Sequence, residues 1–254
     1  MRTGSRIVAS GPGGLRPRAD GEADRILQSA RRRPAGVAYG LMVVLAMMWT
    51  ATIGAGFAYA AAAPLRIVVL GDSLVAGFNL KQGAGFPEVL QRRLLASGRN
   101  VAITNAGVSG NTAEDGLARL DWSIPDDTDL VIVELGANDM LRGIDPEKTK
   151  ATLDAIFRRV KERNMGLVVT GMRSINNYGE DYRQKFDAIY PDLARRHDAP
   201  LFPFFMDGIF GHPEFLFPDR LHPNKAGVEE IVQRFLPFIE PIIYNFPRDV
   251  RKAG

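Results

Sequence analysis

From residue 65 onward, short apolar runs alternate with stretches whose apolar residues recur at helical spacing. Leu65 to Leu70 is the first run, and it stops at Gly71-Asp72-Ser73. A run this short and this rich in β-branched residues reads as a buried strand. Its end would present side chains at the carboxyl edge of the sheet, where open α/β sheets bind ligands. Phe86, Val89, Leu90 and Leu94 then hold one helix face, and Gly98 stops it. Val101 to Thr104 predicts a second strand, closing in Asn105-Ala106-Gly107. Thr112 followed by Glu114 and Asp115 has the form of a helix N-cap, predicting a helix that reaches Leu120.

The alternation continues. Asp129 to Leu135 predicts a third strand, ending in Gly136-Ala137-Asn138-Asp139. Pro146 opens a helix with Leu153, Ile156, Phe157 and Val160 on its apolar face. Met165 to Thr170 predicts a fourth strand, followed by a loop from Gly171 to Gly179. Asp181 to His197 is helical and should break or bend near Pro191. Leu201 and Phe202 mark a short fifth strand, and Phe204 to Pro223 a long loop. A last helix starts after Asn224, with Pro237 kinking or ending it. Strands alternating with helices at these distances imply an α/β fold, a parallel five-stranded sheet covered on both faces. Parallel strands share a carboxyl edge, so the glycine-bearing strand tips must lie together.

The first 63 residues have a different character. Residues 1–36 are basic, without an apolar period, and are expected to form a disordered n-region. Arg31-Arg32-Arg33 then precedes an uncharged run, Val37 to Ala63, that ends in Ala58-Tyr59-Ala60 and further alanines. A basic region, an apolar core and an Ala-x-Ala site make an export signal, with 37–63 as its core and cleavage region. Pro64 argues against a cut directly before it, so Ala60 or Ala62 is the expected last residue removed. A retained membrane anchor is the rival, since the run is long enough to span a bilayer. The residues after the arginines, Pro34-Ala35-Gly36, match a twin-arginine signal poorly. The basic flank precedes the run, so residues 64–254, a single expected domain, should be exported in either case.

Charge follows the same division. The chain carries 32 basic and 29 acidic residues, but eight of the arginines and only three of the acids lie before residue 64. The remaining body, with 24 basic and 26 acidic residues, is close to neutral. A nucleic-acid-binding surface is therefore not supported. The chain has no cysteine, which removes thiol nucleophiles, cysteine metal sites and disulfides together.

Candidate chemistry then centres on Ser73, the only serine directly after a strand tip, with Ser109 its nearest rival. A serine hydroxyl needs an adjacent base to act as a nucleophile. Of three histidines, His197 ends a helix and is expected to be solvated. His212 lies in a loop without an evident partner. His222 follows Asp219 by three residues, a spacing at which one turn can set a carboxylate on the imidazole and fix its tautomer. Taken alone, Asp219 capping a turn beside a solvated His222 is the commoner arrangement. Acyl transfer also needs donors for an oxyanion. Gly107 could offer an unobstructed N–H and Asn138 a side-chain amide. Asp72 and Asp139 are expected to bond neighbouring backbone and hold these loops.

In their order, Gly71-Asp72-Ser73-Leu74, Gly107, Gly136-Ala137-Asn138-Asp139 and Asp219-Arg220-Leu221-His222 resemble the four blocks of the SGNH (GDSL) hydrolase family. The bacterial thioesterase/lysophospholipase/arylesterase branch is the most similar, with Asn177-Tyr178-Gly179 after strand four as a further likeness. The resemblance implies a flavodoxin-like three-layer α/β/α sandwich, a serine–histidine–aspartate triad, and no metal or other cofactor. It implies Ser73 as nucleophile and N–H donor, Gly107 and Asn138 as further oxyanion donors, His222 as base and Asp219 as its orienting group. The implied activity is hydrolysis of carboxylic esters or thioesters: aryl esters, acyl-CoA or lysophospholipid.

The acyl pocket should then lie by the strand tips, with Leu74, Phe78, Met140, Leu141 and Ile175 as substrate-binding residues. The phenylalanine-rich loop Phe204 to Phe217 should add to it, about half of its apolar residues closing the sheet edge instead. The expected partner is a small acyl ester or thioester, lipids included, with no nucleic acid and no obligate protein partner. Two other functions compete: an O-acetyl esterase acting on cell-wall or other polysaccharide, and a non-catalytic periplasmic binding module on the same sheet.

Overall fold

The computed structural model describes residues 63–247 except 176. The expectations for the export signal, its cleavage point and its rival anchor all fall outside the described residues. Among the described residues no helix is long and apolar enough to cross a membrane.

Five strands form one sheet: β1 (Leu65–Gly71), β2 (Val101–Gly107), β3 (Leu130–Glu134), β4 (Gly166–Thr170) and β5 (Leu201–Phe202). They lie in the order β2-β1-β3-β4-β5, and every pairing is parallel. β1 and β3 are buried almost throughout, as strands covered on both faces must be. The helices are α1 (Ser73–Ala76), α2 (Phe86–Ala96), α3 (Ala113–Ala118), α4 (Leu120–Ser123), α5 (Ala137–Leu141), α6 (Pro146–Glu162), α7 (Glu180–Arg196) and α8 (Lys225–Tyr244). α2 packs on α8, while α6 packs on both α3 and α7. These two groups make the outer layers of an α/β/α sandwich.

Local chemistry explains the starts of these helices. Thr112 and Asp115 form a reciprocal capping box at α3. Asp145 caps α6 ahead of Pro146. Asn224 accepts from the N–H groups of Ala226 and Gly227 to cap α8. The helix expected to run unbroken to Leu120 is instead interrupted at Arg119, giving α3 and α4. Arg119 is buried, and its guanidinium donates to Gly71 O, Asn111 Oδ1 and Ser123 Oγ.

Of the two effects expected at the prolines, the structure removes one: they do not end the helices. α7 continues through Pro191, and α8 through Pro237 and Pro241. Residues beyond each proline are buried in the core, Leu193 on α7 and Ile239 and Ile243 on α8. Burying such side chains contributes about 1.5–3 kcal/mol each, which offsets the lost backbone bond.

The register brings the strand tips together. Gly71 at the end of β1 lies opposite Gly107 of β2 on one side and Glu134 of β3 on the other. α1 starts directly after β1 and packs over both tips. Only glycine fits here. A Cβ on Gly71 would come within 2.3 Å of Val75 Cγ2, and one on Gly107 within 2.3 Å of the Ala76 nitrogen.

Candidate active site

Ser73 is the first residue of α1, presented by the turn from β1. Asp72 caps that helix by accepting from Leu74 N–H at 3.0 Å. As the first helical residue, Ser73 has an N–H with no acceptor inside the helix. Its Oγ lies 2.9 Å from His222 Nε2, across 149 residues of chain.

His222 is held by the segment before α8. Phe217 N–H donates to His222 O, Leu216 bridges Pro223, and Asn224 N–H donates to Phe215 O. Within this loop Asp219 uses both carboxylate oxygens. Oδ1 accepts from the N–H groups of Leu221 and His222, and Oδ2 lies 2.8 Å from His222 Nδ1. The turn-capping and ring-orienting roles are therefore one arrangement, not alternatives. Burial opposes ionisation of Asp219, but those two N–H groups and the His222 ring outweigh it and hold its carboxyl below the usual range. The other two histidines stand apart from Ser73. His197 is not solvated as expected: its Nε2 lies 2.7 Å from Asp154 Oδ1, and its ring sits edge-on to Phe157. His212 has a partner after all, Glu214, at 3.4 Å.

Asn138 lies in α5, so the polar tetrapeptide after β3 is a short helix with Gly136 as its cap. The Asn138 amide donates to Asp72 Oδ2 at 3.1 Å and to Asn111 O at 3.0 Å. It is thus tied to the residue beside Ser73. Asp139 holds the neighbouring elements as expected, accepting from Ala113 N–H and Thr149 Oγ1.

The expectation for Gly107 is corrected. β2 runs three residues further than its apolar pattern, so Gly107 is a paired strand residue, not a loop tip. Its N–H donates to Asn105 Oδ1 at 2.9 Å and is not available to a ligand. The next turn, Val108 to Asn111, is closed by Asn111 N–H on Val108 O. Gly110 occupies it at φ 84°. Its N–H has no partner among the described residues, and the Asn138 amide binds the carbonyl of the residue that follows.

A cavity of about 620 Å³, counted with its open mouth, adjoins Ser73 and His222. Leu74, Met140, Leu141 and Ile175 line it, as the sequence suggested, whereas Phe78 does not. Phe78 instead packs on the His222 ring, with centroids 4.4 Å apart. Of the long loop, Phe204 and Phe210 face the cavity, while Phe205, Ile209 and Leu216 are buried in the core.

The family model for the GDSL-like lipase/acylhydrolase family matches residues 69–229. The chain belongs to that family. This GDSL-like hydrolase is 36% identical over 186 residues to thioesterase 1/protease 1/lysophospholipase L1 of Escherichia coli K12, covering 73% of the chain and 88% of that protein. It is 38% identical over 160 residues to an arylesterase of Vibrio mimicus, covering 63% and 80% respectively. Among solved structures, AlinE4, an SGNH-hydrolase family esterase, matches with a TM-score of 0.60 at 39% identity, over 70% of this chain and 96% of that one. The GDSL-like hydrolase is accordingly an esterase with the five-stranded SGNH fold, acting on small ester substrates.

Sequence reasoning missed several cavity residues of this hydrolase: Met172, Arg173 and Leu221. They lie in loops, where no periodicity marks which side chains turn inward. It also missed Glu134, the last residue of β3, which is wholly buried with Oε2 3.5 Å from Asp72 N. Burial first, and then the charge of Asp72, push the Glu134 carboxyl well above the usual range. Asp72 is raised to about 6 by burial, against the opposing pull of Leu74 N–H, Glu134, Asn138 and His222. Within this pair Asp72 has the donors that favour a charge, and burial favours the neutral form of Glu134.

Proposed function

We propose that residues 64–254 form a serine esterase domain in which Ser73 is the nucleophile, His222 the general base and Asp219 its orienting group. The observation that carries this is the unbroken chain from Ser73 Oγ to His222 Nε2 at 2.9 Å and from Nδ1 to Asp219 at 2.8 Å. His222 takes the hydroxyl proton as Ser73 Oγ bonds to the acyl carbon. It then gives that proton to the leaving alcohol or thiol as the old bond breaks, and water repeats the cycle on the acyl-enzyme. The oxyanion is held by the N–H of Ser73, by Asn138 and by the N–H of Gly110 in place of Gly107. Asn138 must share one of its two existing bonds with that oxygen. Losing one such donor costs on the order of 10² to 10³ in rate.

The apolar cavity suits an acyl chain better than the open polar groove that polysaccharide deacetylation would need. The substrates are therefore carboxylic esters or thioesters with an extended acyl group, the class to which aryl esters, acyl-CoA and lysophospholipids belong. The protein is exported, with its signal removed after Ala60 or Ala62. The test is a panel of p-nitrophenyl acyl esters, acyl-CoA and lysophospholipids, turned over by the wild type and by Ser73→Ala. Equal turnover by the two proteins would exclude Ser73 as nucleophile.

A further inference from the structure

Beyond Ser73, Asn138 and His222, the cavity is lined by apolar residues except at one place. Arg173, in the loop after β4, lines it together with Ser73 and His222, and its side chain is exposed. Its guanidinium carbon lies 5.1 Å from the centroid of Phe204, over the ring face. Arg173 makes no ion pair among the described residues. Two carboxylates beside this loop and the site are already engaged: Asp187 accepts from Ser174 N–H, and Asp219 holds His222.

A guanidinium stacked on an aromatic face keeps its N–H donors free at its edge. That edge is a planar fork matched to the oxygens of a phosphate. Two more arginines adjoin the same site without ion pairs among the described residues. Arg142 follows the cavity residue Leu141 and donates to Gly110 O. Arg220 lies between Asp219 and the cavity residue Leu221. Of these, Arg173 is the one that lines the cavity itself, a positive charge without an ion pair among the described residues beside Ser73. A hydrocarbon chain gives such charge nothing to bind, so the cation must address the other half of the substrate.

We propose that Arg173 is a specificity-determining residue whose guanidinium, stacked on Phe204, binds a phosphate carried by the leaving group of the ester or thioester. This rests on the serine esterase reading and sharpens it. Phosphate-bearing leaving groups favoured here come from two sources, the nucleotide arm of an acyl-CoA or the headgroup of a lysophospholipid.

Two matched pairs separate these sources and remove the phosphate from each. Decanoyl-CoA is compared with decanoyl-N-acetylcysteamine, and decanoyl-lysophosphatidylcholine with monodecanoylglycerol. All are assayed below their micellar concentrations with the full chain as wild type, Arg173→Gln and Arg173→Lys. The expected result is a KM increase in Arg173→Gln that is about tenfold larger for the phosphate-bearing member of at least one pair than for its partner, as loss of uniform binding requires. Arg173→Lys should recover part of it, since it keeps the charge and loses the fork. The pair that responds identifies the source. Ratios unchanged in both pairs would overturn the proposal. Equal losses on both members would also overturn it, because they would mean that Arg173 only shapes the cavity against Phe204. Failure of the esterase reading looks different: the wild type would show no Ser73-dependent turnover even of the phosphate-free esters.

Discussion

Asp72 is fully buried one residue before the serine, yet its role as cap and as anchor for Asn138 calls for a charged carboxylate. Burial raises it to about 6, so ionisation near neutral pH is bought from fold stability. A carboxyl raised in the fold contributes stability that is complete below its unfolded value of 3.8 and is lost as pH climbs through about 6. Asp72→Asn removes that dependence. Its melting temperature should therefore gain on the wild type between pH 5 and pH 7.5, while its turnover falls because the Asn138 amide loses a charged acceptor. A constant difference across that range, read by thermal unfolding, would refute the assignment. Glu134 offers a companion test. If it carries the proton, Glu134→Gln keeps a donor toward Asp72 and stays within a few-fold of wild-type kcat, whereas Glu134→Leu loses much more. The hydrogen-bonded set of Ser73, His222 and Asp219 was legible in the sequence because each member sits in a short local signal: a strand tip for Ser73, a three-residue spacing for Asp219 and His222. Glu134 and Arg173 carry no such signal. Their meaning comes from neighbours 62 and 31 residues away, Asp72 and Phe204.

At the scale of elements, β2 decided which glycine could serve the site. The apolar pattern ends at Thr104, but pairing with β1 carries the strand to Gly107 and commits its N–H to Asn105. Strand length is set by the partner strand, which no local pattern reports. The same holds for α7 and α8, where burial of the face beyond a proline overrides the break that proline alone predicts. His197 was misjudged for a like reason, since α6 supplies both Asp154 and Phe157 to cover it. Gly107 keeps a structural role of its own. In Gly107→Ala the new Cβ would sit 2.3 Å from the Ala76 nitrogen, which is backbone and cannot swing aside. Overpacking of this kind costs about 1–3 kcal/mol, and here it pushes on the helix that bears Ser73. Urea unfolding should show that loss, and acylation by a p-nitrophenyl ester should slow with it. Gly110→Ala should act differently. At φ 84° an alanine is strained by about 1–3 kcal/mol, and a turn that relaxes would withdraw the Gly110 N–H. Its kcat should fall further than that of Gly107→Ala at matched stability.

For the molecule as a whole, the order β2-β1-β3-β4-β5 follows a rule of connection more than of composition. Parallel neighbours need right-handed crossovers, and helices returning on both faces bury the central strands. The alternation of runs therefore announced the sheet, while the strand order was available only through the family likeness. The same likeness is silent on the first 63 residues, whose arginines account for the basic character of the chain. Among the described residues, every strand and helix of the esterase lies within residues 65–244. A chain beginning at Ala61 or Ala63 keeps all of them and sheds eight arginines. It should thus fold with unchanged melting temperature, hydrolyse p-nitrophenyl esters at the full-length rate, and migrate as a near-neutral protein on isoelectric focusing. N-terminal sequencing of the exported product should begin at one of those two alanines. Recovery of the intact basic segment on a membrane-bound, active protein would instead establish the anchor and move the site of hydrolysis to the bilayer surface.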